Sequence, residues 1–369
     1  MPNATETVLE ISLKKLAHNF RYLKSKTVGT DTKFMAVIKA YAYGSESVEI
    51  AKKLETLKVD YFAVAYTQEG EKLRKAGIAT PIIVLHPQTV NLNTLVTLKL
   101  EPSLYSEKIL ETFIEIAEKH NLKEYPVHLK FNTGLNRLGF QKEKITNISK
   151  KLKTNTTIKV ASIFSHLAAS EDKKEKEFTE NQIEMFTEIS KEITKQLGYA
   201  PMKHLVNTSG IINYPNAHFD MVRSGIGLYG FGNDAKVDGL LKPIATLKTI
   251  ISQIHKIGPN ESVGYNRAYN AGECKISATL PIGHADGIRR QYGNGKASVM
   301  VNGKLAPLIG NVCMDMIMVD ITGISCKEGD EVILFGEHLS AEVFASKGNT
   351  ISYELLTGIS QRVKRILIN

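Results

Sequence analysis

The sequence predicts an α/β protein in which a (β/α)8 TIM-type barrel is followed by an all-β C-terminal domain. From about residue 12 to residue 235, short apolar runs alternate with stretches of helical pattern such as residues 48–58 and 106–120. After Pro243, apolar runs follow one another without long helices between them. Repeated strand–helix units favour a parallel sheet, whereas successive strands separated by turns favour an all-β domain.

Eight apolar runs in the first part of the chain are short enough to be buried strands. Seven are clear and the run at residues 100–104 is weaker; the full set is residues 34–38, 60–65, 81–85, 100–104, 126–131, 158–164, 203–206 and 219–222. Eight strand–helix units in about 225 residues fit a closed barrel, and a doubly wound open sheet is the alternative. In the second part, strands are expected at residues 244–251, 276–282, 297–301, 312–319 and 331–335.

The bulk composition is that of a globular protein with two domains. The chain has 369 residues, of which 43% are hydrophobic and 23% charged, and its net charge is +9. The lysines are scattered through amphipathic stretches such as residues 142–153, and no dense basic tract with interleaved aromatic residues occurs. The positive charge therefore indicates a solvated, lysine-rich surface rather than a nucleic-acid partner.

Cysteine usage and the N-terminal sequence indicate a cytoplasmic protein. Cys274, Cys313 and Cys326 have no CxxC spacing, and an odd number in a chain of this size argues against a disulfide framework. Residues 1–10 lack a charged segment followed by an apolar core, so no secretory signal is expected. No apolar run approaches the roughly 20 residues that a membrane helix needs, so no membrane segment is expected.

Lys39 is the first candidate for chemistry. It closes the apolar run at residues 34–38, where its amine is expected to be partly desolvated. Desolvation disfavours the ammonium form, so more of the amine is able to attack a carbonyl. On the strand alone, the alternative is a lysine that ends a strand and reaches for water.

Seven segments resemble motifs of the alanine racemases, in the family's order and over nearly the whole chain. Residues 36–44, with the sequence AVIKAYAYG, resemble the segment that carries the pyridoxal-phosphate lysine. The other six segments are residues 130–139, 163–166, 222–226, 263–265, 283–287 and 312–315. Each motif alone is weak, but seven in order make the resemblance highly specific.

The resemblance implies a racemase that uses pyridoxal 5'-phosphate to interconvert L-alanine and D-alanine by two-base proton transfer, supplying D-alanine for peptidoglycan. It also implies a homodimer with shared active sites. It divides the chain into a cofactor-binding barrel, residues 12–240, and a β-domain, residues 241–369, to which residues 1–11 add a strand. The alternatives are a racemase of broader or serine-type specificity, a decarboxylase on the same fold and a non-catalytic cofactor carrier.

Two residues are assigned to the proton transfers by the resemblance. Lys39 binds the cofactor covalently and acts as one acid/base, and Tyr265 in the β-domain acts as the other. Inverting a carbon requires proton removal on one face and delivery on the other, which two groups on opposite faces accomplish. A phenol has a pKa near 10, so it needs neighbouring cations to act as a base near neutrality. His166 and Arg223 are the candidates for that tuning.

The loops after strands 7 and 8 of a barrel often hold phosphate. Here they contain residues 207–210 and 223–226, which are rich in small residues and hydroxyls that let backbone N–H groups approach an anion. The resemblance implies cofactor contacts in these loops and from two phenols, namely Asn207, Thr208, Ser209, Gly225, Ile226, Tyr43 and Tyr353.

Four further residues receive roles from the resemblance. Arg223 faces the pyridine nitrogen of the cofactor, and because an arginine holds its proton firmly it donates a hydrogen bond without surrendering that proton. Lys130 is expected to be carbamylated, and the carbamate would orient Arg137 toward the cofactor's phenolic oxygen. His166 lies against the cofactor ring or in the network of the second base. Arg137 and the backbone at Met314 contact the substrate carboxylate.

Other readings of individual motifs are rejected. Residues 225–230 match GxGxxG, but they follow the eighth strand, and turn-rich residues 231–234 come next instead of a helix. Cys313 is predicted to be a buried residue in a strand over 312–320, not a nucleophile. No metal-binding motif occurs. His284, Ser45 and Ser224 depart from the residues usual in the family, which bears on substrate breadth and rate but not on the reaction class.

Overall fold

A computed structural model of the chain describes residues 4–27, 31–232 and 235–369. Within the turn-rich segment 231–234, Asn233 and Asp234 lie outside the described residues, as do residues 1–3 of the predicted N-terminal segment. The chain packs as two compact units, here called the sheet unit and the barrel unit. The sheet unit comprises Met1–Leu16, Tyr43–Glu46 and Lys242–Asn369, and the barrel unit comprises Ala17–Ala42 and Ser47–Leu241.

The chain enters the sheet unit with strand β1 (Val8–Ser12), and the next eight strands form a closed parallel barrel. These strands are β2 (Lys33–Val37), β3 (Tyr61–Val64), β4 (Ile82–Val84), β5 (Glu101–Leu104), β6 (Tyr125–Lys130), β7 (Ile158–Phe164), β8 (Met202–His204) and β9 (Met221–Ser224). Strand β9 pairs back with β2, from Lys33 opposite Met221 to Ala36 opposite Ser224. The predicted barrel with its eight strands is therefore confirmed, and the open-sheet alternative is wrong.

The barrel unit also contains helices, and the longer of these helices bury one apolar face. They are α1 (Leu13–Ser25), α2 (Ser47–Thr56), α3 (Thr67–Lys75), α4 (Leu92–Thr97), α5 (Glu107–Lys119), α6 (Ile145–Lys153), α7 (Lys176–Leu197), α8 (Thr208–Asn213) and α9 (Ala235–Asp238). In α5, Ser106 caps the first turn by accepting a hydrogen bond from the Ile109 N–H, and Phe113 is buried on the apolar face. Helix α7 ends at Gly198, which has a φ of 82°.

The sheet unit contains a nine-stranded sheet in the order β11-β14-β17-β16-β15-β18-β10-β1-β19 and a two-stranded sheet, β12-β13. Its strands after β1 are β10 (Ala245–Ile250), β11 (Gln253–Ile257), β12 (Ser262–Val263), β13 (Tyr269–Asn270), β14 (Lys275–Leu280), β15 (Ser298–Val301), β16 (Lys304–Ile309), β17 (Ile317–Asp320), β18 (Glu331–Phe335) and β19 (Lys364–Ile368). Strand β1 lies between β10 and β19, antiparallel to the first and parallel to the second. The all-β sheet predicted for this part is confirmed.

Three features of the sheet unit differ from the prediction, and the first is that strands β11, β12, β13, β16 and β19 lie outside the predicted strand segments. Helices α10 (Ala341–Lys347) and α11 (Ser352–Gly358) were not predicted, because each has only two turns and too few positions to show a period. The predicted strand over 312–320 begins only at Ile317. Cys313 lies in the preceding loop and is half-buried, so both its predicted place in a strand and its predicted full burial are wrong. That loop is held by backbone hydrogen bonds such as His284 N–H to the Cys313 carbonyl, 2.9 Å.

Short 3-10 helices complete the secondary structure at Thr89–Asn91, Lys142–Lys144, Lys173–Glu175, Pro215–Ala217, Ile226–Tyr229, Tyr265–Arg267, His284–Asp286 and Arg290–Tyr292. In the part of the chain that the structure describes, no helix is both long enough and apolar enough to span a bilayer.

Candidate active site

Four cationic side chains come together in the barrel unit. Lys39 follows β2, Lys130 ends β6, Arg223 lies in β9, and Arg137 lies in the loop after β6. Burial and the charges of Arg137, Arg223 and Lys39 together lower the pKa of Lys130 to about 8. Burial likewise lowers the pKa of Lys39, with Arg137 adding to the effect. Such a cluster favours anionic ligands and neutral amines.

The backbone after Lys39 is a left-handed turn. Ala40, Tyr41, Ala42 and Tyr43 have φ between 52° and 54°, a conformation that costs about 1–2 kcal/mol per residue for L-amino acids. The Glu69 carboxylate stabilises the start of this turn, because its Oε1 accepts a hydrogen bond from the Ala40 N–H at 2.5 Å. Its Oε2 accepts from the N–H of Ala65 at 2.6 Å, and the Glu69 charge raises the pKa of Lys39 against the effects of burial and Arg137.

Arg223 is buried and donates to four acceptors without a carboxylate partner among the described residues. Its Nη1 donates to Nδ1 of His204 at 2.8 Å. Its Nη2 donates to the carbonyls of Ser165 and Leu205 at 2.7 and 2.8 Å, and to Nδ1 of His166 at 3.1 Å. Burial lowers the pKa of Arg223 to about 9, which still leaves the guanidinium protonated at neutral pH. The side chain is therefore a fixed cation in the barrel.

The phenyl ring of Phe164, at the end of β7, lies close to two of these cations, Lys130 and Arg223. The Lys130 Nζ lies 5.9 Å from its ring centroid, and the Arg223 Cζ lies 5.6 Å from it. The His204 ring stacks on the same phenyl ring with centroids 4.7 Å apart and an interplanar angle of 5°. The ring thus contributes cation–π attraction to two charges that otherwise repel each other.

His166 lies just beyond β7, and Nδ1 of its ring accepts the hydrogen bond from Arg223. Burial holds the pKa of His166 well below the usual histidine range, and the surrounding cations lower it as well, with Arg223 contributing most among them. The ring is therefore neutral near pH 7 and does not supply the positive charge that a phenol base needs. His166 and Arg223 are the two candidates for lowering the pKa of the Tyr265 phenol, and only Arg223 keeps its positive charge near pH 7.

The loops after β8 and β9 are tied together by side chains. Asn207 caps α8 by accepting a hydrogen bond from the Gly210 N–H at 3.0 Å. The Thr208 and Ser224 hydroxyls are 3.0 Å apart, and the Gly227 N–H donates to Thr208 Oγ1 at 3.3 Å. A Cβ at Gly227 would lie only 2.5 Å from Thr208 Cγ2, so the close approach requires glycine. The loops therefore bring together the first turns of α8 and of the 3-10 helix Ile226–Tyr229.

These two first turns suit a phosphate. The first N–H groups of a helix have no intrahelical partner and point toward any anion at its N-terminus. Thr208, Ser209, Gly225 and Ile226 are buried where the two turns begin. With Lys39 as an amine of lowered pKa in the same unit, the donor set fits a phosphorylated aldehyde such as pyridoxal 5'-phosphate.

Tyr43 and Tyr353 meet within the sheet unit, with ring centroids 6.1 Å apart. Burial and the neighbouring Tyr353 raise the pKa of the Tyr43 phenol, which therefore stays protonated and able to donate a hydrogen bond. The chain beside Tyr43 is fixed by Gly44, whose φ is 81° and whose Cβ position would overlap the Leu356 carbonyl oxygen. Arg365 donates to the Gly44 carbonyl at 2.8 Å.

Tyr265 and Met314 lie on exposed loops of the sheet unit. Tyr265 is 74% exposed and begins a 3-10 turn that follows Gly264, whose φ is 77°. Its carbonyl accepts from the side chain of Asn311 at 3.2 Å, which ties it to the loop that contains Met314. The Met314 carbonyl accepts from the Ala285 N–H at 3.0 Å. Both candidates are thus positioned by backbone contacts while their side chains remain accessible.

The structure distributes the predicted site residues over both units. The barrel unit contains Lys39, Lys130, Arg137, His166, Asn207, Thr208, Ser209, Arg223, Gly225 and Ile226, and the sheet unit contains Tyr43, Tyr265, Met314 and Tyr353. Sequence reasoning missed Glu69, Phe164 and His204. His204 could have been found, because it is a polar residue inside the predicted barrel strand 203–206. Glu69 shows no sequence signal, since the turn it stabilises is 29 residues away along the chain.

The described residues contain neither a cluster of metal-ligand side chains nor a disulfide. No group of three or more histidine, cysteine, aspartate or glutamate side chains in residues 4–27, 31–232 and 235–369 could hold a metal ion. The three cysteines are free, with Cys274 exposed and the others half-buried. Burial raises the pKa of the Cys313 thiol, which argues against its acting as a nucleophile.

Comparisons with known proteins cover the whole chain. Residues 11–232 match the family described as "Alanine racemase, N-terminal domain", and residues 244–367 match "Alanine racemase, C-terminal domain". The chain is 36% identical to "Alanine racemase 2" of Caldanaerobacter subterraneus subsp. tengcongensis, over 98% of this chain and 95% of that protein.

Solved structures agree with this match. An alanine racemase from Clostridium difficile 630 superposes with a TM-score of 0.92 at 36% identity, covering 100% of this chain and 97% of its own. An alanine racemase from Bartonella henselae, described with covalently bound pyridoxal phosphate, superposes with a TM-score of 0.89 at 29% identity. That superposition covers 99% of this chain and 100% of the Bartonella chain.

Proposed function

The chain belongs to the alanine racemase family, and on this premise we propose that it interconverts L-alanine and D-alanine with pyridoxal 5'-phosphate bound at Lys39. The observation that carries the proposal is the Lys39 amine, whose pKa is lowered by burial and by Arg137. The description of the Bartonella relative as having covalently bound pyridoxal phosphate supports the cofactor. D-alanine produced in this way would serve peptidoglycan synthesis.

We propose that the cofactor phosphate is held by the first turns after β8 and β9, with phenol contacts from the sheet unit. The contacts would be Asn207, Thr208, Ser209, Gly225, Ile226, Tyr43 and Tyr353. When bound, the cofactor supplies an electron sink that acidifies the Cα–H of an amino acid. Arg137 would contact its phenolic oxygen, and His166 would lie against its ring.

Arg223 would determine which reaction follows proton removal. Its pKa of about 9 keeps the guanidinium protonated at neutral pH, so it donates a hydrogen bond to a ring nitrogen and retains its own proton. A ring nitrogen that gains no proton is a weaker electron sink. With a weaker electron sink, the proton would be returned to Cα rather than delivered to the cofactor, which favours racemisation over transamination.

Lys39 and Tyr265 would move the proton at Cα on opposite faces. The lowered pKa of Lys39 leaves more of its amine in the neutral form, which is the form that can accept a proton. Tyr265, with a side chain that is 74% exposed, is available to a second chain, and we propose that it acts in the active site of a partner subunit. Arg137 and the backbone at Met314 would bind the substrate carboxylate.

We propose further that residues 12–240 form the cofactor domain and that residues 241–369, with residues 1–11, form the domain that supplies the second base. The protein would be a cytoplasmic homodimer that acts on a small amino acid, with no nucleic-acid or membrane partner. No observation on the described residues favours a broader or serine-type specificity.

Incubation with a panel of single-enantiomer amino acids, followed by chiral analysis, tests the activity. We expect L-alanine and D-alanine each to give the racemate, and other amino acids to react more slowly. A protein that racemises another amino acid faster than alanine, or none at all after cofactor addition, would contradict the proposal.

Borohydride reduction tests the attachment of the cofactor. The loaded protein is expected to be yellow, and reduction should leave the cofactor covalently fixed to Lys39, identified by peptide mass spectrometry. Lys130, which also has a lowered pKa, is the internal control because it lies in the same cation cluster. Attachment at Lys130 would overturn the assignment of Lys39.

Lys130 is proposed to carry a carbamate. Carbon dioxide reacts with a neutral amine, releasing a proton, and a pKa of about 8 leaves a sizeable neutral fraction near neutrality. The product replaces a cation by an anion among Arg137, Arg223 and Lys39, which removes repulsion and permits a bidentate pair with Arg137.

Replacing Lys130 by alanine should therefore reduce racemisation by about tenfold or more, since Arg137 loses the anion that orients it. Added acetate or formate should restore part of the activity by occupying the vacated position. Lys142→Ala, at an exposed lysine of the same unit, is the control and should leave activity unchanged. Full activity of Lys130→Ala would show that the carbamate is not required.

A further inference from the structure

We propose that Glu101 is the remote counter-ion of Arg223, connected to it by a relay of three buried side chains. The relay consists of His204, Ser162 and His128. We infer that its members are positioning residues that hold the Arg223 guanidinium in one orientation. The consequence for catalysis rests on the proposed function, whereas the relay itself is a property of the barrel.

Four hydrogen bonds connect Arg223 to Glu101. The first joins Nη1 of Arg223 to Nδ1 of His204 at 2.8 Å, and the second joins Nε2 of His204 to Oγ of Ser162 at 2.9 Å. The third joins Ser162 Oγ to Nδ1 of His128 at 2.6 Å, and the fourth joins Nε2 of His128 to Oε2 of Glu101 at 2.7 Å. The five residues lie on the five consecutive strands β9, β8, β7, β6 and β5.

The chemistry of the two ends determines the direction of every proton. A guanidinium has no acceptor, so Nδ1 of His204 must accept and the ring proton must sit on Nε2. That Nε2–H donates to Ser162 Oγ, whose hydroxyl then donates to Nδ1 of His128. The remaining proton, on Nε2 of His128, is donated to Glu101. An ionised carboxylate only accepts, so both ends require the same direction.

Burial makes this direction costly to reverse. Ser162, His128 and His204 are fully buried, and Arg223 is 5% exposed. In the reversed chain, an Nδ1–H of His204 would face an N–H of Arg223, and the Glu101 carboxylate would face a ring nitrogen without a proton. Two buried groups would then lack partners, each at a cost of about 1–3 kcal/mol. The hydrogen bonds of the relay are therefore all donated in the direction from Arg223 to Glu101.

The relay also compensates a buried charge. All four acceptors of Arg223 are uncharged when His166 and His204 are neutral, and burial together with the neighbouring Arg223 lowers the pKa of both rings. In a low-dielectric interior, each hydrogen bond of a chain polarises the next one. The negative charge of Glu101 at one end of the relay therefore stabilises the positive charge of Arg223 at the other end. Glu101 also faces Tyr61, Tyr125 and Arg74, and its charge raises the pKa of Arg74 against the effect of burial.

Ser162 and Ser103 make a matched pair for the test. Both hydroxyls are fully buried on barrel strands. Ser162 links two relay histidines, whereas Ser103 Oγ has no hydrogen-bond partner among the described residues. Changing either serine to alanine removes the same atom, the hydroxyl oxygen.

The variant Glu101→Gln also needs a control. Glu55→Gln serves this purpose, because it neutralises a carboxylate that is hydrogen-bonded to Thr80 elsewhere in the barrel unit.

The first measurement uses cofactor-free protein with 15N-labelled histidine and arginine. In the wild type, the His204 ring is expected to show an unprotonated Nδ1 and a protonated Nε2. Ser162→Ala and Glu101→Gln should both shift the His204 and Arg223 side-chain signals, and Ser103→Ala and Glu55→Gln should not. Ser162→Thr, which keeps a hydroxyl, should return the signals toward the wild type.

The second measurement is a double-mutant cycle on racemisation. Ser162→Ala and Glu101→Gln should each lower kcat by about tenfold with little change in KM, and the double variant should be no worse than either single variant, because the path is already interrupted. Additive losses, or equal effects of Ser162→Ala and Ser103→Ala, would overturn the relay. If the wild type does not racemise alanine, the proposed function is wrong. The relay is then tested only by the 15N signals of His204 and Arg223 in the cofactor-free protein.

Discussion

Mixing two inactive variants, Lys39→Ala and Tyr265→Ala, is expected to restore about a quarter of wild-type racemase activity. Each variant lacks one of the two groups that move the Cα proton, so each homodimer has two defective sites. If Tyr265 acts in the site of the partner subunit, a mixed dimer has one site with both lesions and one site that is intact. Random assortment makes about half of the dimers mixed, and half of their sites are intact.

The experiment requires subunit exchange, which can be followed by mass spectrometry of differently tagged chains. Tyr265 is 74% exposed, so its truncation is not expected to disturb folding. The control is a mixture of Lys39→Ala with the double variant Lys39→Ala/Tyr265→Ala, in which no site can contain both groups. Exchanged dimers without recovered activity would place both bases in one chain and refute the shared site.

Arg223→Met should destabilise the protein by several kcal/mol and reduce racemisation by about a hundredfold or more. The substitution removes one side chain that donates to the Ser165 and Leu205 carbonyls and to two histidine rings. Each buried acceptor that loses its partner costs about 1–3 kcal/mol. Catalysis suffers separately, because the proposed donor to the cofactor's ring nitrogen is lost.

Urea unfolding of the cofactor-free protein separates the two effects. A lower midpoint with an unchanged slope would report lost stability without a change in the unfolded state. Arg21→Met, at an exposed arginine of α1, is the matched control and should leave both midpoint and activity unchanged. Arg223→Lys keeps the charge but reaches fewer acceptors, so an intermediate stability is expected. An unfolding midpoint of Arg223→Met equal to that of the wild type would contradict the role of Arg223 in the barrel.

The barrel strands could be predicted because each is a short apolar run that is buried wherever the sheet places it. Phe34, Phe62 and Phe131 illustrate this, since all three lie within predicted strands and are fully buried. The same reasoning failed for Cys313. The run at 312–319 is apolar, but its first part forms a loop in which Arg362 pairs with Asp315 at 2.6 Å, a partner 47 residues away in sequence.

Lys39, Lys130, Arg137 and Arg223 could be identified from the sequence as candidate site residues. Each lies at or near the end of a predicted strand, in a segment that resembles a motif of the family. Their chemical state could not be obtained in the same way. The lowered pKa of Lys130 depends on burial and on three cations, of which Arg223 and Lys39 come from other segments of the barrel. A pKa is set by distances in space, and sequence separation carries no information about those distances.

The sequence by itself determined the class of fold, the family and the identity of the reactive groups. Only the tertiary structure decided what those groups contact. Glu69 stabilises the turn after Lys39, and Glu101 reaches Arg223 through His128, Ser162 and His204, because neighbouring strands of the barrel place these segments side by side. Hydrogen bonds act over about 3 Å, and the pairing of neighbouring barrel strands brings residues that are 19 to 42 positions apart in sequence within that reach.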